Sequence, residues 1–396
     1  MFEAAPLNPP DAIFGLIEQF KKDPTPNKIN LSVGVYQNEE GVTPNMKSVH
    51  LAEEKLLAAE GTKSYLPIDG SPSYRDAVGR LVFGDGLVTS DQTFLTTAQT
   101  TGGTAALRVA GELLYRVLDV SSIWMSEPTW ANHKNIFTAA GLELKFYRYL
   151  DQAGTGFDFE AMLESLDAAK EGQAILLHTV CHNPTGVDPQ PEQWNRLFET
   201  IQEKSMIPIF DFAYQGFGES IEADATPIRT FAKLGECLVC NSFSKNFGLY
   251  AERVGGVSAV SSTQQASQAI QSQIKKMIRM MYSNPPLHGG AIVDTVLNDQ
   301  QLRQVWEQEL GEMRQRIAQL RDQFVAAMKE RLPDRDFEYI RRQRGMFSYS
   351  GLLKEQVIRL REEHAIYALE SGRINIAGIN HKNIDRLCDA IAQVMS

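Results

Sequence analysis

Cys237-Leu238-Val239-Cys240-Asn241-Ser242-Phe243-Ser244-Lys245-Asn246-Phe247-Gly248, followed by Arg253-Val254-Gly255-Gly256, is the most informative stretch of the sequence. Its first six residues form an apolar run of strand length, and the Ser- and Gly-bearing segment after them predicts a loop. Lys245 is therefore accessible yet held by regular structure on both sides. Such an amine suits imine formation with an aldehyde cofactor. A lone loop lysine is ordinarily a surface group. This one has company, because Ser242, Ser244 and Arg253 supply phosphate donors within reach of the same loop, and arginine's planar fork suits a phosphate dianion. Cys237 and Cys240 form a C-x2-C pair, but three residues apart on a strand they point to opposite faces, which reads as core.

Working outward, residues from about 100 to 260 alternate short apolar runs with amphipathic stretches, the pattern of a largely parallel α/β sheet. The candidate strands are Ile123–Ser126, Leu144–Tyr147, Ala174–Thr179, Ile207–Phe212, Cys237–Ser242 and Val254–Val260, with helices over Thr104–Leu118 and Pro191–Glu203. Chemistry-bearing residues fall just after strand ends, where open α/β sheets bind ligands. Thr101-Gly102-Gly103-Thr104 opens a helix and offers backbone amides to a second phosphate contact, although Gly-Gly-Thr is also an ordinary helix entry. Asp211 ends an apolar strand, with Tyr214 three residues on. It is either a turn aspartate or a buried acid that needs a cation, such as a protonated pyridine nitrogen. His178 and His182 have the i, i+4 spacing of a helical metal pair, but the strand before them and Pro184-Thr185-Gly186 after them deny them a helix, so no metal is expected. Trp130 reads equally as a core aromatic or a stacking platform.

Beyond residue 300, Leu302, Trp306, Leu310, Met313, Ile317, Leu320, Phe324 and Met328 repeat at three- and four-residue spacing. They predict one long amphipathic helix ending before Pro333. The remainder, with Phe337–Arg341, Met346–Ser350, Lys354–His364 and Arg373–Ala377, reads as a small α+β unit that the first 45 residues complete. At 396 residues two or three units are expected. The formal net charge of −10 opposes binding to nucleic acid, whose affinity rests on cationic neutralisation of phosphates. No apolar run approaches the roughly 20 residues of a membrane span. Four cysteines and the lack of a basic-then-apolar leader point to the cytoplasm.

Together these segments resemble the fold-type I pyridoxal-phosphate-dependent aminotransferases, most closely the aspartate and aromatic aminotransferase branch. The likeness runs from Asn30-Leu31-Ser32-Val33-Gly34 to Ser371-Gly372-Arg373-Ile374-Asn375. Its most specific pieces are His182-Asn183-Pro184-Thr185-Gly186, Asp211-Phe212-Ala213-Tyr214-Gln215-Gly216, Ser242-Phe243-Ser244-Lys245-Asn246 and Tyr282-Ser283-Asn284-Pro285-Pro286. The resemblance implies an N-terminal arm over residues 1–11, a large cofactor-binding domain over 46–311 and a small domain from 12–45 and 312–396. It implies that Lys245 carries pyridoxal 5'-phosphate, that Asp211 pairs with the ring nitrogen, that Tyr214 and Asn183 bond the ring oxygen, and that Trp130 stacks on the ring. The phosphate would be held by Gly102, Gly103, Thr104, Ser242 and Arg253, with Tyr65 from a second subunit. Arg373 would grip the α-carboxylate, helped by Asn183, Trp130 and Gly34, while Arg279 of a second subunit receives a side-chain carboxylate. A homodimer with shared sites follows, as do cis bonds at Glu127-Pro128 and Asn183-Pro184.

The implied reaction moves an amino group between L-aspartate and 2-oxoglutarate, with tyrosine and phenylalanine as the alternative substrates. Val35, Thr43, Thr104 and Asn284 are of the aspartate type, whereas Gln37 stands where aspartate enzymes are often basic and aromatic ones aromatic. Thr101 and Ala105 depart from the family's usual proline and glycine. A decarboxylase or lyase on the same fold would keep Lys245 and Asp211 but would not need the two arginines, and a non-enzymatic binding protein would have no reason to be yellow.

Overall fold

The structure, a computed structural model, describes residues 2–7, 12–59 and 61–396. Of the arm expected over 1–11, residues 1 and 8–11 lie outside the described residues. Two compact units emerge, one of Pro44–Arg316 with Gln343–Gly345, the other of Met1–Thr43, Ile317–Arg342 and Met346–Ser396.

The larger unit is built on a seven-stranded sheet of β1 (Phe94–Thr100), β2 (Ser122–Glu127), β3 (Glu143–Arg148), β4 (Ala174–His178), β5 (Ile207–Phe212), β6 (Cys237–Ser242) and β7 (Gly255–Ser261). Their spatial order is β1-β7-β6-β5-β4-β2-β3. Only β7 runs against its neighbours, antiparallel to β1 and β6, and every other pairing is parallel. The six strands expected from apolar runs all form, and β4 and β6 are buried along their whole length, as strands covered by helices on both faces must be. Leu107, Ala110, Leu113 and Leu114 of helix Gly103–Arg116 and Ile274, Met277 and Ile278 of helix Gln264–Met281 pack into one core with Ile123, Leu176, Ile209 and Leu238.

Strand β1 had no apolar signature in the sequence, because Thr96, Thr97, Gln99 and Thr100 read as polar. All four are nevertheless buried. Thr96 Oγ1 meets Ser267 Oγ at 2.9 Å, Thr97 Oγ1 meets Ser258 Oγ at 2.9 Å and Gln99 Nε2 donates to Pro286 O at 2.9 Å. Satisfied hydroxyls and amides are cheap to bury, and threonine's branched Cβ suits a strand.

The long helix runs from Gln300 to Arg331, and every member of its expected apolar stripe is buried. In the smaller unit Phe347–Tyr349 pairs antiparallel with Arg373–Asn375, and Ile29–Asn30 pairs parallel with Ile366–Tyr367. Helices Lys354–His364 and Ile384–Met395 bury Val357, Leu360, Leu387 and Ile391 there. Among the described residues no helix is long and apolar enough to cross a membrane.

Candidate active site

Lys245 leaves the carboxyl end of β6 in a loop whose flanks are pinned. Trp306 Nε1 donates to Asn246 O at 2.7 Å, Asn246 Nδ2 donates to Gln215 O at 3.3 Å, and Phe247 stacks on Trp306 at 4.6 Å. The lysine's own Nζ lies 5.2 Å from the centroid of the Tyr214 ring. Tyr214 follows β5, and its hydroxyl is 3.4 Å from Asn183 Nδ2. Three loops after three adjacent strands thus bring Lys245, Tyr214 and Asn183 together. Both Glu127-Pro128 and Asn183-Pro184 are cis, as the resemblance implies.

Asp211 is the penultimate residue of β5, paired across the sheet with His178 and Cys240, which removes the turn reading. Its Oδ2 lies 2.9 Å from His133 Nε2. Sequence reading left His133 without a role, although it sits one turn beyond Thr129 on the helix that Trp130 opens. The proton positions follow from one fixed donor. The backbone N–H of Asn183 donates to His178 Nδ1 at 3.2 Å, so a neutral His178 carries its proton on Nε2. That proton faces Thr129 Oγ1 at 3.2 Å, and the threonine hydroxyl in turn donates to His133 Nδ1 at 2.8 Å. His133 is left to donate from Nε2 to Asp211. The row points one way, from the Asn183 loop to the carboxylate.

Electrostatics agree with that polarity. Burial, with His133 alongside, pushes His178 down to about 3, so it is neutral at pH 7. Burial works to raise Asp211, but the hydrogen bond from His133, with the neighbouring His133, His178 and, least, Lys245, outweighs it and leaves the carboxyl below its ordinary value. Asp211 is a buried anion held for a cation. Ligand atoms of His133, His178 and Asp211 lie within 4.8 Å of one another, but the hydrogen bonds to Thr129, Asn183 and each other already employ them. Trp130 closes this side, 5.1 Å from His133 edge to face.

The loop before Lys245 and the helix start beside it suit an anion. Gly102 precedes the 14-residue helix Gly103–Arg116 with φ 82° and ψ 175° and no side-chain cap, which leaves the first amides, those of Gly103 and Thr104 included, to a ligand. A Cβ at Gly102 would lie 2.6 Å from Arg253 Nη2, and one at Gly103 would lie 3.1 Å from Ser242 Cβ. Only glycine lets the guanidinium and the helix start share this space. Arg253 Nη1 donates to Ser244 Oγ at 3.2 Å, and Ser242 Oγ donates to the same atom at 3.2 Å.

One cluster of strand ends and loops carries Lys245, Asp211, Tyr214, Asn183 and Trp130, and the loop before Lys245 with the start of helix Gly103–Arg116 carries Gly102, Gly103, Thr104, Ser242 and Arg253. Tyr65 and Arg279 are exposed groups of the same unit, the tyrosine 92% exposed and the arginine in the last turn of helix Gln264–Met281, donating to Ser283 Oγ, and among the described residues no contact joins either to this set. Arg373 and Gly34 belong to the smaller unit. There Arg373 is buried, donates to Ser32 O at 2.6 Å and lies 4.1 Å over the Phe347 ring. Asn375 Nδ2 reaches the carbonyls of Val33 and Val35 at 2.8 and 2.7 Å, so strand Arg373–Asn375 holds both the arginine and the segment that carries Gly34.

The profile of the family described as "Aminotransferase class I and II" matches residues 26–391. An aspartate aminotransferase of Escherichia coli (strain K12) is 48% identical over 396 residues, and an aromatic-amino-acid aminotransferase of the same organism is 43% identical over 397, each match covering 100% of both chains. A crystal structure of the aromatic-amino-acid aminotransferase from Burkholderia pseudomallei, covalently bound to pyridoxal phosphate, superposes with a TM-score of 0.97 at 45% identity and covers 100% of both chains. Likeness at this level, over a pocket that sets a pinned lysine beside a buried anion and an anion cradle, leaves one conclusion. The chain belongs to the class I and II aminotransferases.

Proposed function

We propose that the protein is a pyridoxal-phosphate-dependent aspartate aminotransferase that moves the amino group between L-aspartate and 2-oxoglutarate as a homodimer. The observation that carries this reading is the closeness of Lys245 to Tyr214 and to the Asp211–His133 pair, with Arg253 bonded to Ser244, the residue before the lysine, and packed on Gly102. That donor set fits the cofactor, with an imine-forming amine, an anion for a ring cation, and amides, hydroxyls and a guanidinium for a phosphate dianion. Lys245 is its attachment point. When bound, the cofactor supplies an electron sink for the charge left at the substrate's Cα.

The chain's own residues do the rest. Lys245 Nζ takes the α-proton from the substrate and returns it, acting as general base and then acid. Asp211, which His133 favours in its ionised form, would hold a proton on the cofactor's ring nitrogen, and Tyr214 Oη and Asn183 Nδ2 would donate to its ring oxygen. Gly102, Gly103, Thr104, Ser242 and Arg253 would hold the phosphate, and Trp130 would offer its indole to the ring. Arg373 binds the α-carboxylate with Gly34 beside it. Tyr65 and Arg279, both exposed in a single chain, serve the site of a second copy, at the phosphate and the side-chain carboxylate respectively. On this reading the larger unit, Pro44–Arg316 with Gln343–Gly345, is the cofactor domain and the smaller unit the carboxylate-holding one, close to the division at 46–311 that the resemblance implies. Four buried cysteines without a disulfide suit the cytoplasm.

Aromatic amino acid transamination is the second reading, supported by the 43% identical relative and by the structural neighbour. Initial rates with aspartate, tyrosine and phenylalanine against 2-oxoglutarate separate the two. A higher kcat/KM for aspartate is expected, and a preference for tyrosine would transfer the protein to the aromatic group.

A further inference from the structure

We infer that Asp69 is a positioning residue that fixes Tyr65 and Arg279 as one rigid block, so that both are presented together to the active site of a second copy of the chain. This rests on the shared-site reading above.

Asp69 is an acid buried to 2% exposure. Its Oδ2 receives Arg75 Nη1 at 2.6 Å, Lys275 Nζ at 3.1 Å and Gln271 Nε2 at 3.2 Å. Gln271 and Lys275 lie one turn apart on helix Gln264–Met281, and Lys275 is one further turn before Arg279. Tyr65 is four residues before Asp69. The carboxylate therefore ties the Tyr65 segment to the Arg279 helix on the near side of the arginine. A second tie lies on the far side, where Asn284 Nδ2 donates to Leu66 O at 3.2 Å. The segment is also anchored to β1, because Gln99 N donates to Asp69 O at 3.0 Å. Gly70, at φ +86°, comes so close that a Cβ there would lie 2.6 Å from Gln99 Cβ. Exposed ion pairs hold little, but here the carboxylate is buried and one of its oxygens is shared by three donors from two segments, so removing its charge takes away the acceptor that joins them. Two side chains that project into solvent are thereby given a fixed spacing by groups that touch neither cofactor nor substrate.

Hybrid dimers made by subunit exchange and isolated with two affinity tags test this. In the first hybrid one chain carries Lys245→Ala and Asp69→Asn and the other is wild type, so the one working lysine faces the altered block. In the second, Lys245→Ala sits in one chain and Asp69→Asn in the other, so the working lysine faces an intact block. The first hybrid should lose about tenfold to a hundredfold in kcat/KM for aspartate, as small misplacements of substrate-holding groups do, with a much smaller loss for tyrosine. Its working site should also release pyridoxal phosphate faster on dialysis, followed by absorbance. The second hybrid should match a wild-type/Lys245→Ala hybrid in all three. Lys275→Gln in place of Asp69→Asn should give the same asymmetry in weaker form. Equal losses in the two arrangements, or none in either, overturn the inference. Arg279→Leu in the same arrangements separates the causes. If it is asymmetric and Asp69→Asn is not, the brace alone fails, and if Arg279→Leu shows no asymmetry, the shared site fails and takes the brace with it.

Discussion

Replacing Gly102 with alanine should weaken cofactor binding as well as the fold, and Gly172→Ala, which should weaken the fold alone, supplies the control. Both glycines have positive φ, 82° and 76°, so each alanine is strained by about 1–3 kcal/mol. They differ in what the new methyl meets. At Gly172 nothing lies within 4 Å, whereas at Gly102 the Cβ would sit 2.6 Å from Arg253 Nη2. Arg253 must then turn away from the helix start, and a charge-assisted hydrogen bond to phosphate is worth about 1.5–3 kcal/mol. Cofactor affinity should fall by about tenfold to a hundredfold. Calorimetry of the apo proteins should show losses of similar size for the two variants, and titration with pyridoxal phosphate followed by absorbance should show weakened binding in Gly102→Ala alone. Equal affinities would refute the cradle.

Arg279→Leu should cut kcat/KM for aspartate and glutamate about tenfold or more while sparing tyrosine and phenylalanine, whereas Arg373→Leu should hurt all four, and uniform losses in the Arg279 variant would refute the side-chain clamp. Asp211→Asn should lower kcat about a hundredfold or more, and near-normal turnover would remove Asp211 from the mechanism. His178 is pushed from 6.5 to about 3 in the fold, so between those values the unfolded chain binds the extra proton and stability falls as pH drops. Asp188, raised by burial from 3.8 to about 6, works in the opposite sense over that range, so the histidine is isolated by comparing variants. Urea unfolding between pH 4 and 6.5 should give a shallower slope for His178→Gln than for wild type, and identical slopes would contradict a buried neutral His178.

Most of the pocket was legible because its residues lie in short segments next to strands that announce themselves. The apolar runs Ile207–Phe212 and Cys237–Ser242 could hardly be anything but interior strands, and they deliver Asp211 and Lys245 to one sheet edge. Strand Phe94–Thr100 was hidden because its burial depends on hydroxyl partners such as Ser258 and Ser267, more than 150 residues away. His133 was hidden for a related reason. Its neighbours in sequence explain the Thr129 and Trp130 contacts, but its partner Asp211 lies 78 residues on. Asp69 reads as a turn aspartate before Gly70, and only the fold brings Arg75, Gln271 and Lys275 to one of its oxygens.

The central claim is that Lys245 is the cofactor's point of attachment, and peptide mapping tests it most directly. Purified protein is reduced with borohydride, digested and sequenced by mass spectrometry. The added mass of reduced pyridoxal phosphate should fall on Lys245, with none incorporated in Lys245→Ala protein. A stoichiometric adduct on any other lysine would contradict the assignment of this pocket.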